Sequence, residues 1–123
     1  MADESFKAFV LDQLSAVPDV RVKAMFGGHG IYAGERFFGI LDEGRLYFKV
    51  DETTRGDYES RGMGPFTYEM KGREMTMGYY EVPLDVLENA MELEFWAQKA
   101  IRVAEMKAKK PAVKNPKAIR KQD

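Results

Sequence analysis

Apolar residues recur at steps of three and four near both ends of the chain, and they alternate with polar ones through its middle. Phe6, Phe9, Val10, Leu14 and Val17 have helical spacing, with Asp3 placed to cap the start. Pro18 ends that helix at or before Val17. Strand-like segments follow at Val20 to Phe26, Gly30 to Ala33, Arg36 to Leu41 and Arg45 to Val50. Gly34-Glu35 and Asp42-Glu43-Gly44 are short turns of the kind that join antiparallel neighbours. Asp51 to Arg61 is polar and opens on an acid, which reads as a short helix. Phe66 to Met70 and Arg73 to Val82 then form a further strand pair around Lys71-Gly72. Phe66, Tyr68 and Met70 share one face of it, as do Met75, Met77 and Tyr79. Pro83 suits a first helical turn, and Leu84 and Leu87 begin an apolar stripe. Leu93, Trp96, Ala97, Ala100, Ile101 and Ala104 continue it past a break near Asn89-Ala90. The alanines would let that helix lie close to a sheet, and Trp96 is expected to be buried. The fold class is α+β: one domain over residues 1–108, with a mainly antiparallel sheet of five to six strands. N- and C-terminal helices are expected on one face of it.

Composition narrows the class. At 123 residues, 45% hydrophobic and 32% charged, the chain suits one domain with a real core. No apolar run approaches the roughly 20 residues of a membrane span. The acidic start, Met1-Ala2-Asp3-Glu4-Ser5, is unlike a signal peptide, so a cytoplasmic location without membrane contact is expected. The absence of cysteine excludes disulfides, a thiol nucleophile and thiolate metal sites. Charge is unevenly spread. Residues 1–98 carry 10 Lys and Arg against 18 Asp and Glu, whereas residues 99–123 carry 9 against 2. Pro111 and Pro116 frame a segment with no apolar period, so residues 109–123 are expected to be a flexible basic tail. Lys109, Lys110, Lys114, Lys117, Arg120 and Lys121 would give it weak, non-specific contact with nucleic acid at most.

Little in the chain has the spacing of catalysis. Gly28-His29-Gly30-Ile31-Tyr32-Ala33 satisfies G-x-G-x-x-A after a strand. A dinucleotide site needs that turn to open a helix, and here it runs into a hairpin. The glycines therefore read as a bend between two strands, with Gly28 at a positive φ and His29 partly exposed. His29 is the only histidine, and none of the three serines sits in a nucleophile elbow. No carboxylate–histidine spacing suggests zinc, and no acid pair stands out for proton transfer. Tyr47 and Lys49 alternate with Leu46, Phe48 and Val50, so they should lie on the opposite sheet face. Such a face could stack bases or grip a partner, or its tyrosines could simply edge the core. The eight methionines mostly occupy positions that suit core filling.

The run Met25-Phe26-Gly27-Gly28-His29-Gly30-Ile31-Tyr32 comes with Leu46-Tyr47-Phe48-Lys49, Pro65-Phe66-Thr67-Tyr68, Met77-Gly78-Tyr79-Tyr80, Pro83 and Trp96. In that order and spacing, these pieces resemble the N-terminal domain of the TfoX/Sxy regulators of natural competence, over roughly residues 4–106. The resemblance implies the same α+β architecture. It also implies a non-enzymatic regulatory or protein-interaction module in the transcriptional control of competence genes, alongside a DNA-bound activator of the CRP type. Full-length members add a C-terminal domain of helix-hairpin-helix character, so this chain reads as the stand-alone form. The family supplies no catalytic residue, metal ligand or cofactor to carry over. Its matching positions, Met25, Phe26, Gly27, Gly28, Gly30, Tyr32, Tyr47 and Lys49, read as residues of the fold or of an interaction surface. The alternative is a small-ligand-binding protein or enzyme with a cleft near the Gly27–Gly30 bend.

Overall fold

Ten elements follow one another in a computed structural model that describes residues 2–25 and 28–109. Of the residues singled out above, Phe26, Gly27, Lys110, Lys114, Lys117, Arg120 and Lys121 lie outside these, as do the side chains of Asp3, Met75, Met77 and Lys109. Helix α1 spans Ala2–Gln13. Strands β1 (Val20–Met25), β2 (Gly28–Ala33), β3 (Arg36–Asp42) and β4 (Arg45–Lys49) come next. A short helix α2 (Arg55–Glu59) separates them from β5 (Pro65–Met70) and β6 (Arg73–Glu81). Helices α3 (Leu84–Leu87) and α4 (Ala90–Lys109) close the fold. The six strands form one antiparallel sheet in the order β1-β2-β3-β4-β6-β5.

The turns follow from their residues. Gly34 opens the β2–β3 turn at φ 62, and Glu43-Gly44 and Lys71-Gly72 take positive φ at both central positions. Paired positive φ is the hairpin geometry whose twist matches the strands it joins. Between β2 and β3 the register shifts after Ile31, where Tyr32 pairs with Phe37 and Phe38 is the extra residue. Such a bulge bends the strand and increases its twist.

All four helices contribute to a core on one face of the sheet. Val10 and Leu14 of α1, Tyr58 of α2, Val86 and Leu87 of α3, and Leu93, Ala97, Ala100 and Ala104 of α4 meet Ile31, Phe38, Leu46 and Phe48. The alanine stripe brings α4 down onto β3 and β4. Its start is fixed by Asn89, whose Oδ1 accepts the Glu92 backbone N–H at 3.1 Å, as an N-cap side chain does.

Several sequence expectations change here. Helix α1 already includes Ala2, so Asp3 lies within its first turn and is not its cap. The helix closes at Gln13, and Val17 reaches the core from the turn beyond it. Phe9 is exposed despite its helical spacing, and Trp96 is half-buried, one ring face lying under the Arg61 guanidinium. Val103, outside the expected stripe, is buried. Met70, Met91 and Met106 are solvent-exposed and fill no core. Gly28, His29 and Gly30 are not a bend, because β2 begins at Gly28 and pairs it with Met25.

Candidate interaction surface

The sheet face turned away from the helices carries its own cluster. Alternation along β4 sends Leu46 and Phe48 toward the helices, and Tyr47 and Lys49 to the other side. There Tyr47 joins Ile40, Phe66 and Tyr79, packed with Phe37 and Tyr68, and no helix residue belongs to the group. Tyr79 is only 2% exposed, and among the described residues no helix residue belongs to its cluster. Side chains of the same face supply cover: the Phe37 ring lies against it and the Lys49 ammonium over it. The Tyr79 hydroxyl of β6 donates to the Phe37 carbonyl of β3 at 3.3 Å, across the intervening β4.

The rings run in a line. Tyr32 stacks on Phe37 with centroids 5.1 Å apart, and Phe37 meets Tyr79 at 5.2 Å. On the far side Tyr47 meets Phe66 edge-on at 5.0 Å, and Phe66 meets Tyr68 at 6.3 Å. An ammonium lies over each end of the first line: Lys23 is 5.1 Å from the Tyr32 centroid, and Lys49 is 4.7 Å from that of Tyr79. Lys49 Nζ also approaches the Tyr79 hydroxyl oxygen at 3.4 Å, a long hydrogen bond. Among the described residues, no carboxylate lies within ion-pair distance of either lysine.

Burial governs the electrostatics. It pushes the Lys49 ammonium below the usual lysine range, with the Lys107 charge adding to the effect. It pushes the Tyr79 hydroxyl far above the usual tyrosine value, and raises Tyr47 less, against the nearby Arg45 and with Glu81. Two cations, Lys23 and Lys49, are thus seated on aromatic rings of this face.

The glycine motif shapes this surface. Gly28 does not have a positive φ, contrary to expectation. A Cβ on it would run into the Leu41 carbonyl oxygen of β3. A Cβ on Gly30 would lie 3.0 Å from the Met25 thioether and from the Phe37 ring. Gly30 therefore makes the room in which Phe37 links Tyr32 to Tyr79. Met25, Gly28, Gly30, Tyr32, Tyr47 and Lys49 converge on this one face by register. Lys23, Phe37 and Tyr79 belong with them and were missed, although their alternation with Val22, Phe38 and Tyr80 was there to be read. His29 sits half-buried on the helix-facing side beside Ile31.

Two grooves lie away from this face. An open groove of about 750 Å³ runs between Asp51, Thr53 and Arg55 on one side and Tyr80, Met106 and Lys107 on the other. Neither it nor a smaller groove of about 170 Å³ beside Thr54 and Arg102 is lined by Gly28, His29 or Gly30. Asp51 is occupied locally. Its Oδ1 accepts the Thr53 hydroxyl at 2.6 Å and the Thr53 N–H at 2.9 Å, which holds its carboxyl below the usual range. Among the described residues, no three His, Asp or Glu side chains group to hold a metal ion. Nor is any helix long and apolar enough to cross a membrane.

The sequence profile of the TfoX N-terminal domain matches residues 12–104, from the end of α1 into α4. The chain belongs to the TfoX N-terminal domain family. This TfoX N-terminal domain is also 36% identical over 62 residues to an uncharacterized 12.7 kDa protein in the trpE 5' region of Spirochaeta aurantia. That match covers 50% of this chain, and the chain spans about half of the relative's length, 54%.

Proposed function

We propose that this TfoX N-terminal domain is a cytoplasmic, non-enzymatic interaction module in the control of competence genes. Its partner is a DNA-bound activator of the CRP type, met through an acidic patch on the activator. The family supports the regulatory part of this reading. The observation that carries the contact is the pair of lysines seated on Tyr32 and Tyr79, with no carboxylate of the described residues against them. A partner carboxylate would give these ammonium groups the ion pair that the domain itself does not provide.

The test is calorimetric titration of the purified activator with the domain, alongside a competence-gene reporter. Lys23→Glu with Lys49→Glu should weaken binding at least tenfold and lower reporter output, with circular dichroism unchanged. Unaltered affinity in the folded double variant would remove this face from the proposal. No binding by the native domain would remove the partner.

A further inference from the structure

Helix α4 has two apolar stripes. One is spent on the core through Leu93, Ala97, Ala100 and Ala104. The other points to solvent: Met91 is 82% exposed, Phe95 60% and Met106 54%. Large apolar side chains aligned on an outward helix face mark a contact surface more strongly than scattered ones. At 1.5 Å per residue, Met91 and Met106 are about 22 Å apart along the axis.

The positions of the stripe pair about one centre. Phe95 lies four residues inside Met91, and Arg102 lies four residues inside Met106. Both pairs are centred between Gln98 and Lys99. Charge follows the same division. Within α4, residues 90–98 carry Glu92 and Glu94 and no base, whereas residues 99–109 carry Lys99, Arg102, Lys107 and Lys109 against Glu105 alone.

We infer that this face binds a second copy of the chain, α4 against α4, antiparallel about a two-fold axis at Gln98-Lys99. Two-fold contact requires a self-complementary patch, and an antiparallel pair satisfies that in three ways. Met91 of each copy meets Met106 of the other. Phe95 receives the other copy's Arg102 over its ring, a cation–π contact. The acidic half of each helix lies along the basic half of its partner, and the helix dipoles oppose. A parallel pair would set acid against acid and base against base. Lys99 is already held within its own chain, by Asp57 at 3.1 Å and over Phe95 at 5.2 Å, and so frames the axis instead of crossing it.

The chain has no cysteine, so single introduced thiols report the geometry directly. In the full chain, Gln98→Cys should cross-link to itself under mild oxidation. Met91→Cys and Met106→Cys should each cross-link poorly alone and readily when mixed. Sedimentation equilibrium should show a concentration-dependent dimer that Phe95→Glu weakens at least tenfold. Self-cross-linking of Met91→Cys as fast as the mixture would replace the antiparallel arrangement by a parallel one. A monomer at every concentration, with no cross-linking above that of an exposed thiol elsewhere such as Glu43→Cys, would overturn the inference.

Discussion

A methyl group at Gly28 would meet backbone, and one at Gly30 would meet the ends of side chains, so the two glycines should differ in tolerance. The Leu41 carbonyl cannot move without parting β2 from β3, whereas the Met25 thioether can rotate away. Gly28→Ala is expected to cost about 2–3 kcal/mol in denaturant unfolding, within the range of overpacked sites, and Gly30→Ala about 1 kcal/mol. His29→Ala, which touches neither constraint but removes a half-buried side chain, should cost about 1 kcal/mol or less. The Tyr79 hydroxyl spans β4, so Tyr79→Phe should cost about 1 kcal/mol at neutral pH and loosen the aromatic line. The titrating groups give stability a signed pH dependence. Lys49 has a lowered folded-state pKa, so between that value and the ordinary lysine range the unfolded chain binds more protons. Stability from this site therefore rises with pH through that window. Tyr58 and Tyr79 are displaced upward by burial and stay protonated after unfolded tyrosines have ionised. Their contribution is complete below about pH 10 and is lost above it. Unfolding midpoints should fall above pH 10, and the fall should be shallower in Tyr58→Phe with Tyr79→Phe. An equally steep alkaline fall in that double variant would locate the cause elsewhere.

At the scale of elements, α4 carries most of the helical contact with the sheet, and its two ends are set differently. Asn89 caps its first turn, and Asn89→Ala should cost about 1 kcal/mol. Trp96 packs edge-on against Tyr58 at 4.8 Å but keeps part of its ring in solvent beneath Arg61. Trp96→Ala should therefore cost about 2–3 kcal/mol, below the 3–5 kcal/mol of a fully enclosed aromatic. Thermal or urea unfolding of both variants checks the pair. Much of this architecture was legible in sequence because it is local. The Asn89-Ala90 break, the alanine stripe and the three Gly-containing hairpin turns follow from residue type and period. The burial of Tyr79 was not legible. It depends on a contact with Phe37, which is 42 residues away. The second face of α4 was also misread, since Met91 and Met106 have the hydrophobicity of core residues and the period alone does not say which stripe turns inward. Trp96 sat on the right stripe, and only the position of Arg61 shows that one side of it faces solvent.

Across the whole molecule, the core of the described residues ends within α4. Ala104 is the last residue of the main cluster, and α4 reaches Lys109. Residues 110–123 offer Ala112, Val113, Ala118 and Ile119 as their apolar side chains, with Pro111 and Pro116 spaced against helical continuation. Deleting them should leave Tm within about 2 °C, less than roughly 0.5 kcal/mol at this chain length. Nucleic-acid contact should respond in the opposite way. Lys110, Lys114, Lys117, Arg120 and Lys121 would displace counterions from a phosphate backbone, while the acidic excess of residues 1–98 repels it. DNA binding by the full chain should therefore be weak, indifferent to base sequence and steeply reduced by salt. Truncation at Lys109 should abolish it while leaving the proposed activator contact at Lys23 and Lys49 intact. Affinity measured at two salt concentrations, on matched and scrambled duplexes, separates these cases. Sequence-selective binding that survives the truncation would place DNA recognition on the sheet face itself. The two lysines would then be read as contacts to phosphate, and the acidic-patch account of the partner would fall.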